Sequence, residues 1–330
     1  MSCHTARPAA DPPNSDGPES QKERRNRFTM KFTTPQCRAC GKESRPAFIT
    51  RDYNRRLSTE PFSYYKCQSC GLLFLDPVPS DLGRYYPQNY YTIPDSAAAL
   101  RATLAGVRYK MDIVKRFVTS GRLLEIGPAC GDFALQAKEA GFDVGTIEMD
   151  PRCCEFLVQH VGVRAICSND TRAALGQMEP CDIIAMWHVI EHLPDALETL
   201  ALAAAKLRPG GVLLVAAPNP DAFQLKVLGA RWTHVDAPRH VLLFPLELLA
   251  KLAGQHGLEA AGWTTDDEGA RGWNRFGWEQ SLGNLAQARR GKKWLRRVGR
   301  GLASVISPWD RREGLGSAYT AVFRKPGGSI

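Results

Sequence analysis

The chain has 330 residues, of which 44% are hydrophobic and 23% are charged, so it can bury the core of one large domain and a small one. It has no run of about 18 apolar residues and no apolar N-terminal core, so we expect neither a membrane span nor export, but a cytoplasmic protein. The formal net charge of +9 is unevenly placed, because no acid lies between Glu279 and Asp310.

The N-terminal region divides into a polar tail and a cysteine-rich segment. Residues 1–35 offer little to bury and are predicted to be disordered. Residues 36–78 contain two C-x-x-C pairs, each followed by a glycine that permits the tight turn of a zinc knuckle. This spacing predicts a structural four-cysteine zinc ribbon, with core cysteines or a redox dithiol as alternatives. The expected ligands are Cys37, Cys40, Cys67 and Cys70.

Residues 79–120 are interpreted as a linker followed by N-terminal helices. The stretch "DLGRYYPQNYYTIPD" is rich in tyrosine, and "LAGVRYKMDIVKRFV" has apolar residues at helical spacing. The tyrosines either pack the linker against the main domain or cap a cofactor or substrate cleft. The candidates for capping are Tyr85, Tyr86, Tyr90 and Tyr91.

Residues 121–330 alternate strand-like and helix-like segments. The predicted strands include "RLLEIG", "DVGTIEMD", "VRAIC", "CDIIAMW", "GVLLVAAPN", "LEAAGWTT" and "SAYTAVFRK". The predicted helices are "DFALQAKEAG", a segment beginning at Pro151, residues 195–207 and "LELLAKLAGQHG". This alternation predicts an α/β fold with a parallel sheet and helices on both faces.

The loop after the first of these strands indicates a nucleoside cofactor. Glu125, Gly127 and Gly131 lie at its carboxyl end, where ligands bind in open α/β sheets. Glu148 ends the next strand, 21 residues after Gly127, and could accept both hydroxyls of a ribose. Asp132 would repel a second phosphate. The loop therefore favours a cationic, phosphate-free nucleoside.

"LLEIGPACGDFALQAKEAGFDVGTIEMDP", "CDIIAMWHVIEHLPD" and "KLRPGGVLLVAAPN" resemble the ordered motifs of class I S-adenosylmethionine-dependent methyltransferases. The resemblance covers roughly residues 122–325. It implies a Rossmann-like, doubly wound, seven-stranded and mostly parallel sheet. Ala129 stands where this family often has a third glycine. The residues that it implies for cofactor binding are Glu125, Gly127, Gly131, Glu148, Asp170, Trp187 and His188, although Asp170 is also a plausible turn residue.

The zinc ribbon with "CGLLFLDPVP", together with "PRHVLLFPLELL", resembles a methyltransferase subgroup linked to sugar and polysaccharide methylation. This resemblance implies methyl transfer to a hydroxyl, less often a carbon, of a sugar, nucleotide sugar or lipid-linked glycan. A quinone-precursor O-methyltransferase is the alternative within the enzyme class. A non-catalytic zinc-ribbon scaffold is the alternative outside it.

The pentapeptide "HVIEH" matches an inverted zinc-protease pattern. It follows a strand and precedes Pro194, however, whereas a protease motif would lie within a helix. We interpret it as a methyltransferase loop in which His188, Glu191 and His192 are catalytic candidates, or merely fix the loop. Relatives that methylate quinone precursors have E-x-x-E-H here, implicated in binding a divalent ion. His188 replaces the first glutamate, which puts metal binding by this loop in doubt.

The stretch "RWTHVDAPRHVLLFP" is expected to form the acceptor pocket. Trp232 could stack on a sugar face, His234 could contact the acceptor, and Arg239 could bind an anion. His240 is the first candidate for the base and His188 is the second. Each histidine could equally be structural.

The last distinctive segment is a basic amphipathic insertion over residues 284–310. Its cations alternate with apolar residues at near-helical spacing, which favours contact of residues 289–300 with an anionic membrane. The alternative is a solvated helix packed on the sheet. Nucleic-acid binding is not expected, because no RNA-binding fold or aromatic platform accompanies the charge.

Overall fold

The computed structural model describes residues 34–327, which form one compact unit from Pro35 onward. The predicted disordered tail, residues 1–35, lies almost entirely outside the described residues. None of the helices between residues 34 and 327 combines the length and apolar character that crossing a membrane requires.

Eleven strands and ten α-helices make up the described part of the chain. The strands are β1 (Ser44–Thr50), β2 (Phe62–Cys67), β3 (Leu73–Leu75), β4 (Arg122–Ile126), β5 (Asp143–Glu148), β6 (Arg164–Cys167), β7 (Cys181–Trp187), β8 (Leu207–Pro218), β9 (Leu242–Leu243), β10 (Glu259–Thr264) and β11 (Ala318–Arg324). The helices are α1 (Ala97–Arg101), α2 (Arg108–Val114), α3 (Asp132–Glu139), α4 (Pro151–Phe156), α5 (Thr171–Gln177), α6 (Ala196–Lys206), α7 (Phe223–Leu228), α8 (Leu246–Gln255), α9 (Glu268–Gly283) and α10 (Arg289–Asp310).

The large sheet has seven strands in the order β10-β11-β8-β7-β4-β5-β6. Strands β8, β7, β4, β5 and β6 are parallel, and β11 runs in the opposite direction, antiparallel to both β8 and β10. The central strands read as continuous apolar runs because helices cover both faces of the sheet. The predicted Rossmann-like, seven-stranded and mostly parallel fold is confirmed.

The cysteine-rich segment forms a small antiparallel sheet in the order β1-β2-β3-β9. Strand β9 comes from the segment predicted to form the acceptor pocket, and it pairs with β3 through Leu73–Leu243 and Phe74–Leu242. The hydroxyl of Tyr64, on β2, donates to the backbone carbonyl of His240 at 2.6 Å. The ribbon sheet is therefore joined to the large domain by backbone pairing, next to a predicted catalytic residue.

Helices α5, α7 and α9 were absent from the sequence prediction. Glycines interrupt the apolar pattern of α9, and glycine weakens an isolated helix. In the folded chain these glycines allow close packing: a side chain at Gly277 would collide with Gln224. Likewise, a Cβ at Gly299 of α10 would lie 2.6 Å from the carbonyl oxygen of Trp278 on α9. The helix is stabilised by tertiary contacts that no local pattern shows.

Candidate active site

Two adjoining cavities open at the carboxyl edge of the large sheet. The first, of about 280 Å³, lies over the ends of β4, β5 and β6. The second, of about 450 Å³, lies between the β7 loop and the segments around residues 54, 234 and 273. The side chains that line both cavities are Tyr90, Tyr91, His188 and His192.

The loop between β4 and α3 forms one wall of the first cavity. Gly127 has a φ of +67°, and a Cβ there would lie 2.6 Å from Val189. Gly131 has a φ of +82°, and its Cβ would lie 2.5 Å from Leu157, so glycine is required for the close approach of the turn that follows α4. Ala129 also has a positive φ, of +51°, which strains a residue with a side chain.

Two buried carboxylates flank this loop. Glu148 accepts hydrogen bonds from the backbone amides of Ala129, Met149 and Asp150 at 2.8–2.9 Å, and its side chain faces the first cavity. Burial raises the pKa of Glu148, although these amides oppose the shift. Glu125 is fully buried, and its Oε2 has no hydrogen-bond partner among the described residues. Burial raises the pKa of Glu125 to about 8, and nearby Lys110 offsets this only in part.

Lys110 was not predicted as a site residue. It lies on α2, where it pairs with Asp132 at 3.3 Å and places its ammonium 5.4 Å from the ring of Trp187. Trp187 is buried against Phe133 and does not line either cavity. The sequence predicted the helix that contains Lys110. It could not show that this helix packs beside the loop after β4, so Lys110 was not recognised as a site residue.

Asp170, predicted to bind the cofactor or to be a turn residue, lies at the start of α5. Its carboxylate accepts a hydrogen bond from the amide of Ala173 at 2.9 Å and caps α5. Asp170 does not line the first cavity. Its neighbours Ser168, Asn169 and Thr171 do.

Four histidines face the second cavity, and all four are predominantly neutral near pH 7. Burial lowers the pKa of His188 to about 3 and the pKa values of His192 and His234 to about 4. Burial also lowers the pKa of His240. Because both imidazoles are shielded from water, the pKa values of His188 and His192 lie well below neutrality.

His188 begins the loop after β7, with a φ of +59° and its amide bonded to the carbonyl of Ala216 at 2.8 Å. Its ring lies 4.4 Å from that of Trp273. Glu191 follows in the same loop and is 1% exposed. Neither of its carboxylate oxygens has a hydrogen-bond partner in the described part of the chain. Its Oε1 lies 3.7 Å from Nδ1 of His188 and 4.0 Å from Nε2 of His240.

Two of the three predicted acceptor contacts are in the protein interior instead. Trp232 is buried, and its Nε1 donates to Gln224 at 3.1 Å. Arg239 is fully buried between Asp52 and Asp236, so its charge is already paired and it does not reach the cavity to bind an anion. His234 does line the cavity, where its Nε2 contacts the carbonyl of Trp273 at 3.1 Å.

Trp273 and Arg55 occupy the positions that Trp232 and Arg239 were expected to fill. Both line the second cavity, Trp273 from α9 and Arg55 from the loop after β1. The guanidinium of Arg55 lies 3.9 Å from the ring centre of Tyr90, and Arg55 forms no ion pair within residues 34–327. Trp273 lies in α9, which the sequence prediction missed, so Trp273 was not recognised as a cavity residue.

The linker tyrosines divide between the two predicted roles. Tyr86 contacts Nδ1 of His192 at 2.9 Å and lines the first cavity with Tyr90 and Tyr91. Tyr85 is buried against Phe62 and packs the linker instead. The packing position and the cavity-lining position thus fall to different tyrosines.

The four ribbon cysteines form a separate cluster. Their sulfur atoms lie 3.5 Å apart for the pairs Cys37–Cys70 and Cys40–Cys67, and 3.7 Å apart for Cys40–Cys70. Four sulfurs around a tetrahedral zinc ion are roughly 3.8 Å apart. The amides of Ser69 and Cys70 point at the sulfur of Cys67, as in a zinc knuckle. The residues therefore fit a zinc ion.

Comparison with known proteins matches residues 98–261 to a family model described as a methyltransferase domain. The ubiquinone biosynthesis O-methyltransferase of Xylella fastidiosa is 30% identical over 167 residues, which are 46% of this chain and 67% of that protein. The protein with the same name from Bordetella avium is 28% identical over 154 residues, 43% of this chain and 63% of that protein. Across the curated relatives that it matches, the chain spans about half to two thirds of the relative's length.

Two solved structures are similar to part of the chain. A SAM-dependent methyltransferase from Archaeoglobus fulgidus has a TM-score of 0.46 and 18% identity, covering 67% of this chain and 93% of that one. Haemonchus contortus phosphoethanolamine N-methyltransferase 2, in complex with S-adenosyl-L-methionine, has a TM-score of 0.49 and 14% identity, covering 86% and 69%. From the domain match and its curated relatives, the chain belongs to the S-adenosylmethionine-dependent methyltransferase family.

Proposed function

We propose that the protein transfers a methyl group to a hydroxyl of a polar acceptor, a sugar or nucleotide sugar. The observation that carries the proposal is the contact between the two cavities at the β7 loop. The first cavity offers a carboxylate for a ribose, and the second offers histidines, an arginine that has no carboxylate partner among residues 34–327, and an aromatic surface. A donor and an acceptor in these cavities would meet beside His188 and His192.

The residues of the first cavity fit S-adenosylmethionine. When bound, this cofactor supplies an electrophilic methyl group on a positively charged sulfur. Glu148 is held by three amides in one orientation and would accept the ribose hydroxyls. The unpartnered Oε2 of Glu125 would pair with the amino group, and Lys110, which pairs with Asp132 at 3.3 Å, would turn to the carboxylate. Gly127 leaves room for close approach, and Met149, Val189 and Leu193 supply apolar walls.

In the second cavity we assign activation of the acceptor hydroxyl to His240. Its Nδ1 lies 2.8 Å from the carbonyl oxygen of His234. A carbonyl oxygen accepts, so Nδ1 carries the proton and the lone pair of Nε2 is free. Tyr64 fixes the backbone of His240 from the ribbon side. His188 is the second candidate, but the burial that lowers its pKa to about 3 makes it a weaker base.

The lining of the second cavity favours a hydroxylated acceptor over a prenylated phenol. Its lining includes the polar side chains of Asn54, Arg55 and Gln280, and Trp273 and Phe276 supply an aromatic surface. Trp273 suits a sugar face and Arg55 suits a phosphate. The names of the curated relatives favour the second candidate, methyl transfer to a quinone precursor. Methyl transfer to carbon is a third, weaker possibility.

The test has two steps. Calorimetry with S-adenosylhomocysteine is expected to show saturable binding that Glu148→Ala abolishes and that a variant of exposed Glu155 retains. Absence of binding would favour a non-catalytic ribbon scaffold. Incubation with S-adenosylmethionine and panels of nucleotide sugars and of phenols should then show which acceptors gain the mass of one CH₂. Turnover of phenols alone would select the quinone-precursor candidate.

Two further features complete the proposal. The cysteine cluster would hold a structural zinc ion, because its four sulfurs already have nearly tetrahedral spacing. Helix α10 would rest on an anionic membrane, since its outer face combines cations with Trp294, Val298, Val305 and Trp309, which are 41–70% exposed. A lipid-linked glycan would then be presented close to the second cavity.

A further inference from the structure

Four cations lie at the edge of the second cavity, on the side that the ribbon and α10 form. Arg55 and Arg56 follow β1 of the ribbon sheet, and Lys292 and Arg296 lie near the start of α10. We call these four residues the rim cluster. No carboxylate pairs with any of them within residues 34–327, and the chain has no acidic residue between Glu279 and Asp310.

Arg296 reaches the cavity wall from α10. Its guanidinium donates a hydrogen bond to Oε1 of Gln280 on α9, and Gln280 lines the second cavity. Lys292 is four residues before Arg296, so the two side chains lie on the same side of α10. Lys293 and Arg297 are each one residue further along and are therefore turned by about 100° from this side. The cations of α10 thus divide between the cavity rim and another face.

Arg56 meets the same wall from the ribbon. Its Nη2 donates to the carbonyl oxygens of Asn284 and Ala286 at 3.1 and 2.8 Å, just after the end of α9. The side chain of Asn284 accepts a hydrogen bond from Gln280 at 3.1 Å, so Arg56 and Arg296 are bonded to two residues in direct contact. The carbonyl groups orient the guanidinium of Arg56, but they are neutral and leave its positive charge unbalanced.

The charges of the rim cluster repel one another. Burial and the charges of Arg296 and Arg56 lower the pKa of Lys292. Arg55 adds a cation in the cavity itself, where its guanidinium lies 3.9 Å from the ring centre of Tyr90. Like charges held together without an acid cost free energy until an anion joins them. The cluster is therefore complementary to an anion with more than one negative charge.

We propose that the rim cluster binds a diphosphate group of the acceptor, while the sugar attached to it occupies the second cavity. Guanidinium groups bind phosphate oxygens through paired N–H donors. Because the cations extend from the cavity to α10, they suit a diphosphate better than a single phosphate. The inference rests on the proposed function and narrows the acceptor to a diphosphate-linked sugar, in a nucleotide sugar or a lipid-linked glycan. A hydroxyl of that sugar would then face His240.

Calorimetry with soluble probes tests this recognition. The full-length wild-type protein is titrated with uridine diphosphate, uridine monophosphate and uridine at low ionic strength. We expect the diphosphate to bind roughly tenfold or more tightly than the monophosphate, and uridine to give no measurable heat. Added salt should weaken the binding, because it screens charges at an exposed rim. Equal affinities for the diphosphate and the monophosphate would overturn the inference.

A pair of double variants locates the binding on one face of α10. Lys292→Gln with Arg296→Gln should lower the affinity for the diphosphate by roughly 10- to 100-fold, as expected for lost hydrogen bonds to a charged group. Lys293→Gln with Arg297→Gln removes the same charge from the other face and should bind like the wild type. Unchanged affinity in the first variant, or equal losses in both, overturns the inference. Lys292→Gln alone gives the same comparison if the first variant does not fold.

Farnesyl diphosphate in phosphatidylcholine vesicles distinguishes the two sources of the diphosphate. Binding of uridine diphosphate alone indicates a nucleotide sugar, and co-sedimentation with the lipid alone indicates a lipid-linked glycan. The variants are then compared with the diphosphate that binds, and failure of both probes overturns the inference.

Calorimetry with S-adenosylhomocysteine separates this inference from the proposed function. Binding of S-adenosylhomocysteine without either diphosphate leaves methyl transfer standing and removes the rim site. Binding of a diphosphate without S-adenosylhomocysteine leaves the rim site standing and removes methyl transfer.

Discussion

The guanidinium of Arg239 lies 2.8 Å from Oδ1 of Asp52, although the two residues are 187 positions apart in the chain. Neither side chain is exposed, and the same guanidinium also holds Asp236 at 2.7 Å. Asp52 lies in the loop after β1, beside Asn54 and Arg55. The ion pair therefore joins the ribbon to the segment that carries His234 and His240, and it fixes one wall of the acceptor cavity.

Replacing this arginine tests the importance of the connection. Arg239→Gln leaves two buried carboxylates without their partner, and breaking a buried pair costs about 3–5 kcal/mol. We expect a loss of this size in the free energy of unfolding, measured with urea. The control is Arg101→Gln, because Arg101 pairs with Glu139 at the surface and such pairs contribute about 0–1 kcal/mol. Equal losses in the two variants would contradict a structural role for Arg239.

Arg239 also shows why the sequence predicted the cofactor site better than the acceptor site. Gly127, Glu148 and the cysteines carry local signals, since their spacing is fixed by one turn or one strand end. In "RWTHVDAPRH", by contrast, a tryptophan or an arginine could either line a cavity or be buried in the protein interior, and the local sequence does not distinguish the two. Trp232 and Arg239 point into the interior because they hydrogen-bond to Gln224 and Asp52, and the sequence around them does not show these partners. Trp273 was missed because the glycines of α9 concealed the helix.

A second prediction concerns His240. His240→Ala should lower kcat by roughly 10²- to 10⁴-fold, the range typical of a lost proton-transfer or activating group. Affinity for S-adenosylhomocysteine should stay close to that of the wild type, because His240 does not line the first cavity. Kinetics with a methyl acceptor and calorimetry measure the two effects. His256→Ala, at an exposed histidine, should change neither. A parallel loss of cofactor affinity would show that His240 is structural.

A third prediction follows from the buried Glu125. Its pKa is raised from 4.5 to about 8 by burial, so the folded state holds a proton that the unfolded state has lost. The stabilisation is complete below about pH 4.5 and is lost as the pH rises through 8. Within this window, wild-type stability should fall by up to about 1.4 kcal/mol per pH unit more than that of Glu125→Gln.

Urea unfolding of both proteins at a series of pH values measures this difference. Other groups titrate equally in the two proteins, so subtracting the curves isolates Glu125. Glu155→Gln, at an exposed position, should follow the wild-type curve. Parallel curves for the wild type and Glu125→Gln would mean that the carboxyl group is already ionised in the free protein.

A fourth prediction concerns the cysteine cluster. Cys40→Ser should remove one zinc equivalent and lower the thermal midpoint of unfolding, because structural zinc contributes directly to folding. The KM for the acceptor should rise, since Asn54 and Arg55 follow β1 of the ribbon sheet. Affinity for S-adenosylhomocysteine should change little. Cys167→Ser, at an exposed cysteine, is the control. An unchanged zinc content would refute the ribbon site.

The last prediction concerns the outer face of α10. Trp294, Val298, Val305 and Trp309 share one side of this helix, and Lys293 and Arg297 lie beside them without ion pairs in residues 34–327. An anionic bilayer satisfies both features, because the indoles can sit at the headgroups while the cations meet lipid phosphates. Packing against α9 uses the opposite face, at Gly299 and Ala303, so the exposed stripe is available.

Co-sedimentation with liposomes measures this contact. The protein should sediment with phosphatidylglycerol vesicles and not with phosphatidylcholine vesicles. Neutralising Lys293 and Arg297 together should weaken binding roughly 30-fold, at about 1 kcal/mol for each charge. Neutralising exposed Arg45 and Lys251 removes the same charge elsewhere and should have little effect. Equal losses in the two double variants would mean that net charge, and not the face of α10, determines the attraction.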